Sequence, residues 1–289
     1  MIMGNERSMK HLVVLSGKGG TGKTTLTAAF SRLARNIVIT DCDVDAADLF
    51  ILLKPELKIE SPFYGGKKSF INTKQCRFCG LCMDVCRFDA IENFIVDAVQ
   101  CEGCGFCVRV CPAHAIEFTT VVTGAIYDGT VADGTEFLHA ALLPGEGNSG
   151  KLVTELKKKT SVYATGDTPK VVLIDGPPGI GCPVNASLSG ADAAVLITEP
   201  TLSGLHDLKR IVTLIRSFRI HISVVINKYD LNEAMTEAIE SYAKTEKIFV
   251  AGRIPFDEHV VRALQQERNI MDFPETPAAR AITAIFHSL

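Results

Sequence analysis

The 289-residue sequence has no surplus of positive charge: 30 lysines and arginines stand against 33 aspartates and glutamates, a formal net charge of −3. A chain so balanced offers no broad cationic field to phosphate backbones or anionic lipid, so nucleic acid is not expected as a partner. Long apolar runs are missing as well. No stretch approaches the roughly 20 nearly uncharged residues that cross a bilayer, and Met1 to Lys10 lacks the apolar core of a signal peptide. The expected setting is the cytoplasm, with no integral membrane segment. Gly4 to Ser8 resembles a myristoylation pattern, but Gly4 does not follow Met1 directly and the match is read as chance. Disorder is disfavoured too, because 47% hydrophobic against 22% charged residues is ordinary for a packed globular protein. At this length one large domain and a domain plus a small module are both open.

What the sequence holds in unusual number is cysteine, ten in all. Without an export signal these are not expected to pair as disulfides, and their spacing reads instead as metal ligation. Eight fall into two runs of identical spacing, Cys76-x2-Cys79-x2-Cys82-x3-Cys86 and Cys101-x2-Cys104-x2-Cys107-x3-Cys111-Pro112, which start 25 positions apart. Soft thiolates suit iron-sulfur clusters and zinc alike. Zinc sites, however, use two pairs of ligands across a long gap, whereas these are triplets with a remote fourth member. Both runs resemble the bacterial ferredoxin pattern, in which the fourth cysteine ligates the other cluster. That pattern implies one [4Fe–4S] cluster on Cys76, Cys79, Cys82 and Cys111, and a second on Cys101, Cys104, Cys107 and Cys86. Arg87 stands where the pattern would have proline, which bears on the local turn rather than on the ligands. Cys42 reads as a small residue buried near a strand end and Cys182 as a packed thiol, with an intersubunit cluster ligand as its alternative. His206 and His221 read as surface or hydrogen-bonded residues.

Around the cysteine block the chain alternates short β-branched runs with helical patterns. His11 to Leu15, Asn36 to Thr40, Val171 to Ile174, Ala194 to Thr198, Ser223 to Ile226 and Ile248 to Val250 read as strands of a parallel sheet covered on both faces. Helices are expected from about Lys23 to Ala34 and from Leu202 to Phe218. The latter has a core stripe of Leu202, Leu205, Leu208, Ile211, Val212, Ile215 and Phe218. Ala278 to Leu289 repeats the pattern with one firm cation, Arg280, and reads as packing rather than lipid binding.

Gly17-Lys18-Gly19-Gly20-Thr21-Gly22-Lys23-Thr24 satisfies the phosphate-loop motif G-x-x-x-x-G-K-[ST], and it lies where the motif has meaning, after a strand and opening a helix. Its glycines let backbone N–H groups converge on phosphates. Lys23 supplies a point charge, and Thr24 a hydroxyl for Mg²⁺. Thr25 completes the candidate nucleotide-binding set. Asp43, with Asp41 as runner-up, and Asp175 stand at strand ends beside this loop, where carboxylates hold metal or water. Asn227-Lys228-Tyr229-Asp230 resembles an N-K-x-D base-recognition element. Its Asn227 amide would meet a purine edge, adenine or guanine.

With Lys18 the loop reads KGGTGKT and resembles the deviant Walker A loop of the MinD superfamily of ATPases, here with an inserted 2[4Fe–4S] ferredoxin-like segment. The resemblance extends to Asp175-Gly-Pro-Pro-Gly-Ile-Gly-Cys182, Glu199-Pro200-Thr201 and Gly252-Arg253-Ile254-Pro255. It implies an α/β P-loop NTPase fold, a mostly parallel sheet flanked by helices, over residues 1–65 and 120–289, with a small α+β ferredoxin-like domain inserted at 66–119. It implies catalytic roles for Lys18, Lys23, Asp43 and Asp175, with Lys18 acting in trans across a nucleotide-sandwich dimer. Thr24 and Asp43 are the implied Mg²⁺ residues, ATP or ADP the nucleotide, and adenine the favoured base. The partner subunit is an identical chain or a sister ATPase, and a redox or iron-sulfur client protein is implied as well. Three readings of the task follow: ATP-gated electron transfer is preferred to ATP-dependent cluster transfer or assembly, with spatial positioning as the weakest.

Overall fold

A computed structural model describes residues 10–163 and 171–289; Gly4 to Ser8 lies outside them. In chain order the elements are β1 (Lys10–Leu15), α1 (Lys23–Leu33), β2 (Ile37–Asp41), α2 (Leu49–Leu53), β3 (Glu56–Phe63), β4 (Gly66–Ile71), α3 (Leu81–Asp84), β5 (Ile91–Glu92), β6 (Ile95–Val96), α4 (Phe106–Val110), β7 (Ile116–Val121), β8 (Gly124–Thr130), β9 (Glu136–Leu142) and α5 (Ser149–Tyr163). There follow β10 (Val171–Asp175), α6 (Cys182–Leu188), β11 (Ala193–Thr198), α7 (Leu202–Arg216), β12 (His221–Asn227), α8 (Glu233–Thr245), β13 (Phe249–Ile254), α9 (Glu258–Gln265) and α10 (Pro277–Ser288). The chain divides into two compact units, Met1–Glu60 with Ile126–Ala141 and Ser149–Leu289, and Ser61–Ala125 with Leu142–Asn148.

The first unit is built on a sheet of order β13-β12-β11-β1-β10-β2-β9-β8-β3. From β13 through β9 every pairing is parallel. Strands β2 and β11 are buried at every residue, as continuous β-branched runs in a parallel sheet should be. Val14, Ile39, Leu173 and Val195 from the sheet meet Leu26 and Phe30 of α1 and Ile282 and Ile285 of α10 in one core. The last helix therefore packs, as its stripe suggests. On α7 the stripe holds at Leu208, Ile211, Val212 and Ile215, but Leu202 is 79% exposed. It is the first helical residue after the Thr201 cap and precedes the turn that reaches the sheet. Strands β3, β8 and β9 and helix α5 carry no strong periodic signal, and sequence reasoning passed over them.

In the second unit β4 pairs antiparallel with β7, and β5 with β6. Cys82, Ile91, Cys107 and Ile116 form its small core. This unit takes in more chain than the 66–119 expected from the cysteines. Thr123 explains the difference: its N–H donates to Phe63 O at 2.9 Å, its hydroxyl accepts from Gly65 N–H at 2.9 Å, and its carbonyl accepts from Leu143 N–H at 2.9 Å. Lys68 pairs with Glu146 at 2.9 Å and Asn148 Nδ2 donates to Gly65 O at 3.0 Å, which ties in the 142–148 segment.

Candidate functional site

Parallel register brings the two candidate strand-end carboxylates level: Asp41 of β2 lies opposite Asp175 of β10, and Val14 of β1 opposite Asp175 on its other side. The loop after β1 then turns into α1 through Gly22, at φ 94°, where a Cβ would lie 2.6 Å from Asn227 Nδ2. Glycine is required there on both counts. Side-chain oxygens of Thr201, Asn232, Asp257 and Thr276 cap α7 to α10, but no side chain caps α1. Its first N–H groups and its positive dipole end are left for an anion. Thr21 Oγ1 is buried without a hydrogen-bond partner among the described residues, a hydroxyl that a phosphate oxygen would satisfy.

Asp175, fully buried, collects Lys23 Nζ at 3.0 Å, Thr24 Oγ1 at 2.8 Å and Thr27 Oγ1 at 2.9 Å. Asp43 approaches Lys23 from a second direction at 3.4 Å. Burial works against the Lys23 ammonium, yet Asp175, Asp43 and Asp41 outweigh it and hold its pKa above the ordinary lysine value. Burial pushes the Asp43 carboxyl up to about 6 against the pull of Lys23, and burial together with Asp175 raises fully buried Asp41 well above the carboxylate range. The two candidates for the same duty thus separate. Asp41 accepts Asp43 N–H at 3.0 Å and Leu49 N–H at 3.1 Å and holds the loop, while Asp43 lines the open cavity. That cavity, about 660 Å³, is walled by Gly19, Gly20, Lys23, Thr24, Thr25 and Asp43 among others, and falls in the size range of small-molecule sites.

Two of the expected site residues make contacts within the chain that their motifs do not specify. Asn227 Nδ2 donates to Thr21 O at 2.8 Å and its Oδ1 accepts Lys228 N–H at 3.0 Å, so the amide braces the phosphate loop rather than facing an open base site. Lys18 turns onto its own chain, with Nζ 3.6 Å from Glu199 and 3.3 Å from Ser203 Oγ. Glu199 also holds Lys228 at 2.6 Å. Thr27 was missed in the sequence, although it lies one helical turn beyond Lys23 and Thr24 on the same face. Buried Cys42 matches its reading, whereas Cys182 is exposed, not packed. As the first residue of α6 it precedes the turn that carries buried Val184. His206 and His221 are exposed.

In the second unit the eight cysteines of the two runs line two small hollows, each of about 20 Å³. Cys101, Cys104 and Cys107 share one with Cys86. Cys76, Cys79 and Cys82 share the other with Cys111. Among the described residues no three His, Cys, Asp or Glu side chains converge to hold a single metal ion.

Strand, glycine loop, uncapped helix and two strand-end aspartates on a parallel sheet define a P-loop nucleotide-binding protein. The family model of the CobQ/CobB/MinD/ParA nucleotide-binding domain matches residues 12–270, and the chain belongs to that family. It is 36% identical over 225 residues to the uncharacterized protein MJ0578 of Methanocaldococcus jannaschii, covering 76% of this chain and 79% of that one. Its fold is like that of the septum site-determining protein MinD from Pyrococcus horikoshii OT3, solved with Mg-ADP, at TM-score 0.56, 16% identity and coverage of 96% and 95%. It is also like a ParA family ATPase from Chlorobium tepidum, at TM-score 0.60, 14% identity and coverage of 98% and 100%.

Proposed function

We propose that the chain is an ATP-driven switch protein whose second unit holds two [4Fe–4S] clusters, and that ATP turnover in a dimer gates electron delivery to a redox partner. The observation that carries this reading is the sorting of the cysteines. Each hollow takes three from one run and the fourth from the other, the exchange that a two-cluster ferredoxin pattern requires. A bound cluster supplies a one-electron couple, with Cys76, Cys79, Cys82 and Cys111 holding one and Cys101, Cys104, Cys107 and Cys86 the other. The cluster-carrier reading fits less well, since four cysteines around each hollow make for tight retention. A positioning ATPase, which the MinD likeness suggests, leaves both hollows without a task.

At the nucleotide, Lys23 would place its charge on the phosphates, and the N–H groups of Gly19, Gly20 and the first turn of α1 would bond them. Thr24 and Asp43 are the residues that would hold Mg²⁺, which would screen phosphate charge; a MinD of like fold was solved with Mg-ADP. Asp43 also orients the attacking water. Lys18 completes the site of a partner subunit, leaving Glu199 as it does so. The test is anaerobic reconstitution followed by mixing with an apo-acceptor and ATP. Retained clusters with ATP-dependent reoxidation are expected, and intact transfer to the acceptor would favour the carrier reading. Lys18→Ala is expected to lose ATPase activity while keeping nucleotide binding; undiminished turnover would remove the role in trans.

A further inference from the structure

Ser69 of β4 is 2% exposed and lines the hollow of Cys86, Cys101, Cys104 and Cys107. The Cys107 thiol donates to its hydroxyl across 3.2 Å. A cysteine that ligates metal has lost its proton, so in the loaded protein the direction reverses and the Ser69 hydroxyl donates to the thiolate. The contact is rigidly framed. Ser69 stands opposite Phe118 in the β4–β7 ladder. In the ligand loop, a Cβ on Gly103 would lie 2.2 Å from Lys67 O and one on Gly105 3.2 Å from the Phe118 ring. Loop and hydroxyl therefore have little room to separate.

The other hollow is made differently. Among its described lining residues none carries a hydroxyl, and Arg77 is its one charged member. Its sulfurs take bonds from the main chain, Phe78 N–H to Cys76 Sγ at 3.3 Å and Ala115 N–H to Cys111 Sγ at 3.4 Å. Hydrogen bonds to ligand sulfur stabilise the more negative, reduced state and raise a cluster's potential. We infer that Ser69 is a positioning residue for one hollow alone. It raises the potential of the cluster on Cys86, Cys101, Cys104 and Cys107 and makes the two clusters respond differently to a side-chain change. This rests on the two-cluster reading above.

The experiment is a redox titration, followed by electron paramagnetic resonance, of anaerobically reconstituted wild-type protein, Ser69→Ala and Ser69→Thr, with iron and sulfide content measured in each. Ser69→Ala is expected to lower one couple and leave the other in place, and Ser69→Thr to restore it. A shift of 59 mV corresponds to about a tenfold change in the oxidised-to-reduced ratio at fixed potential. Iron-sulfur stretching bands of the wild type should also shift in D₂O, and less so in the alanine variant. If the alanine variant sheds half its iron, the isosteric pair Ser69→Thr and Ser69→Val repeats the comparison. Couples that both move, or that both stay, overturn the role of Ser69. Wild-type protein that takes up no iron and sulfide overturns the two-cluster reading itself.

Discussion

Asp43 should be a costly residue in the nucleotide-free fold. Its side chain is 13% exposed and 3.4 Å from Lys23, yet burial, helped by Asp175, pushes its pKa up to about 6. In the unfolded chain the value is near 3.9. A raised carboxyl pKa means that the folded state binds the proton more tightly than the unfolded state. Stability is then highest below about pH 4, falls as pH rises towards 6, and is flat above. Two pH units at 1.36 kcal/mol each put the cost of ionised Asp43 at about 3 kcal/mol. Asp43→Asn keeps the shape and removes the charge. Without nucleotide or divalent metal it is expected to be about 2–3 kcal/mol more stable than wild type at pH 7.5, and to converge with wild type near pH 4. ATPase activity should be lost, a trade of stability against function. Urea unfolding midpoints measured from pH 4 to 8 check this. A variant less stable than wild type at pH 7.5, or a difference that does not change with pH, would refute the reasoning.

Asn227→Ala removes one half-buried hydrogen bond to the phosphate loop, worth about 1 kcal/mol, and should weaken binding of a fluorescent ATP analogue about fivefold; unchanged affinity would argue against the brace. Cys86→Ala and Cys101→Ala line the same hollow, so each should halve the iron content and the double variant lose no more. Cys86→Ala with Cys76→Ala should lose nearly all of it, and the opposite pattern would show that each run binds its own cluster. Gly103→Ala puts a Cβ 2.2 Å from Lys67 O at φ +64° and should cost more than about 2 kcal/mol in thermal unfolding. Gly134→Ala, at φ +83° with nothing within 4 Å, should cost only the left-handed penalty of about 1 kcal/mol.

The parallel strands could be read from the chain because β2, β10, β11 and β12 are β-branched runs that a twice-covered sheet demands. The phosphate loop was legible because its residues are consecutive. Strands β3, β8 and β9 were not: Leu57 and Ile59 of β3 stand 48% and 51% exposed, and such a strand carries neither a buried run nor a clean alternation. The sequence places Asp43 ahead of Asp41, but the bonds that Asp41 accepts from the N–H groups of Asp43 and Leu49 are visible only in the backbone geometry. Cys182 was misread because a thiol's residue type says nothing about which side of a helix start it occupies. The contacts hardest to foresee join distant positions one to one: Asn227 to Thr21 across 206 residues, Thr27 to Asp175 across 148, Ser69 to Cys107 across 38. None belongs to a motif, because each depends on two chain segments arriving at the same register. Sequence spacing identifies the groups that perform chemistry, but the hydrogen bonds that aim and tune them come from the packing.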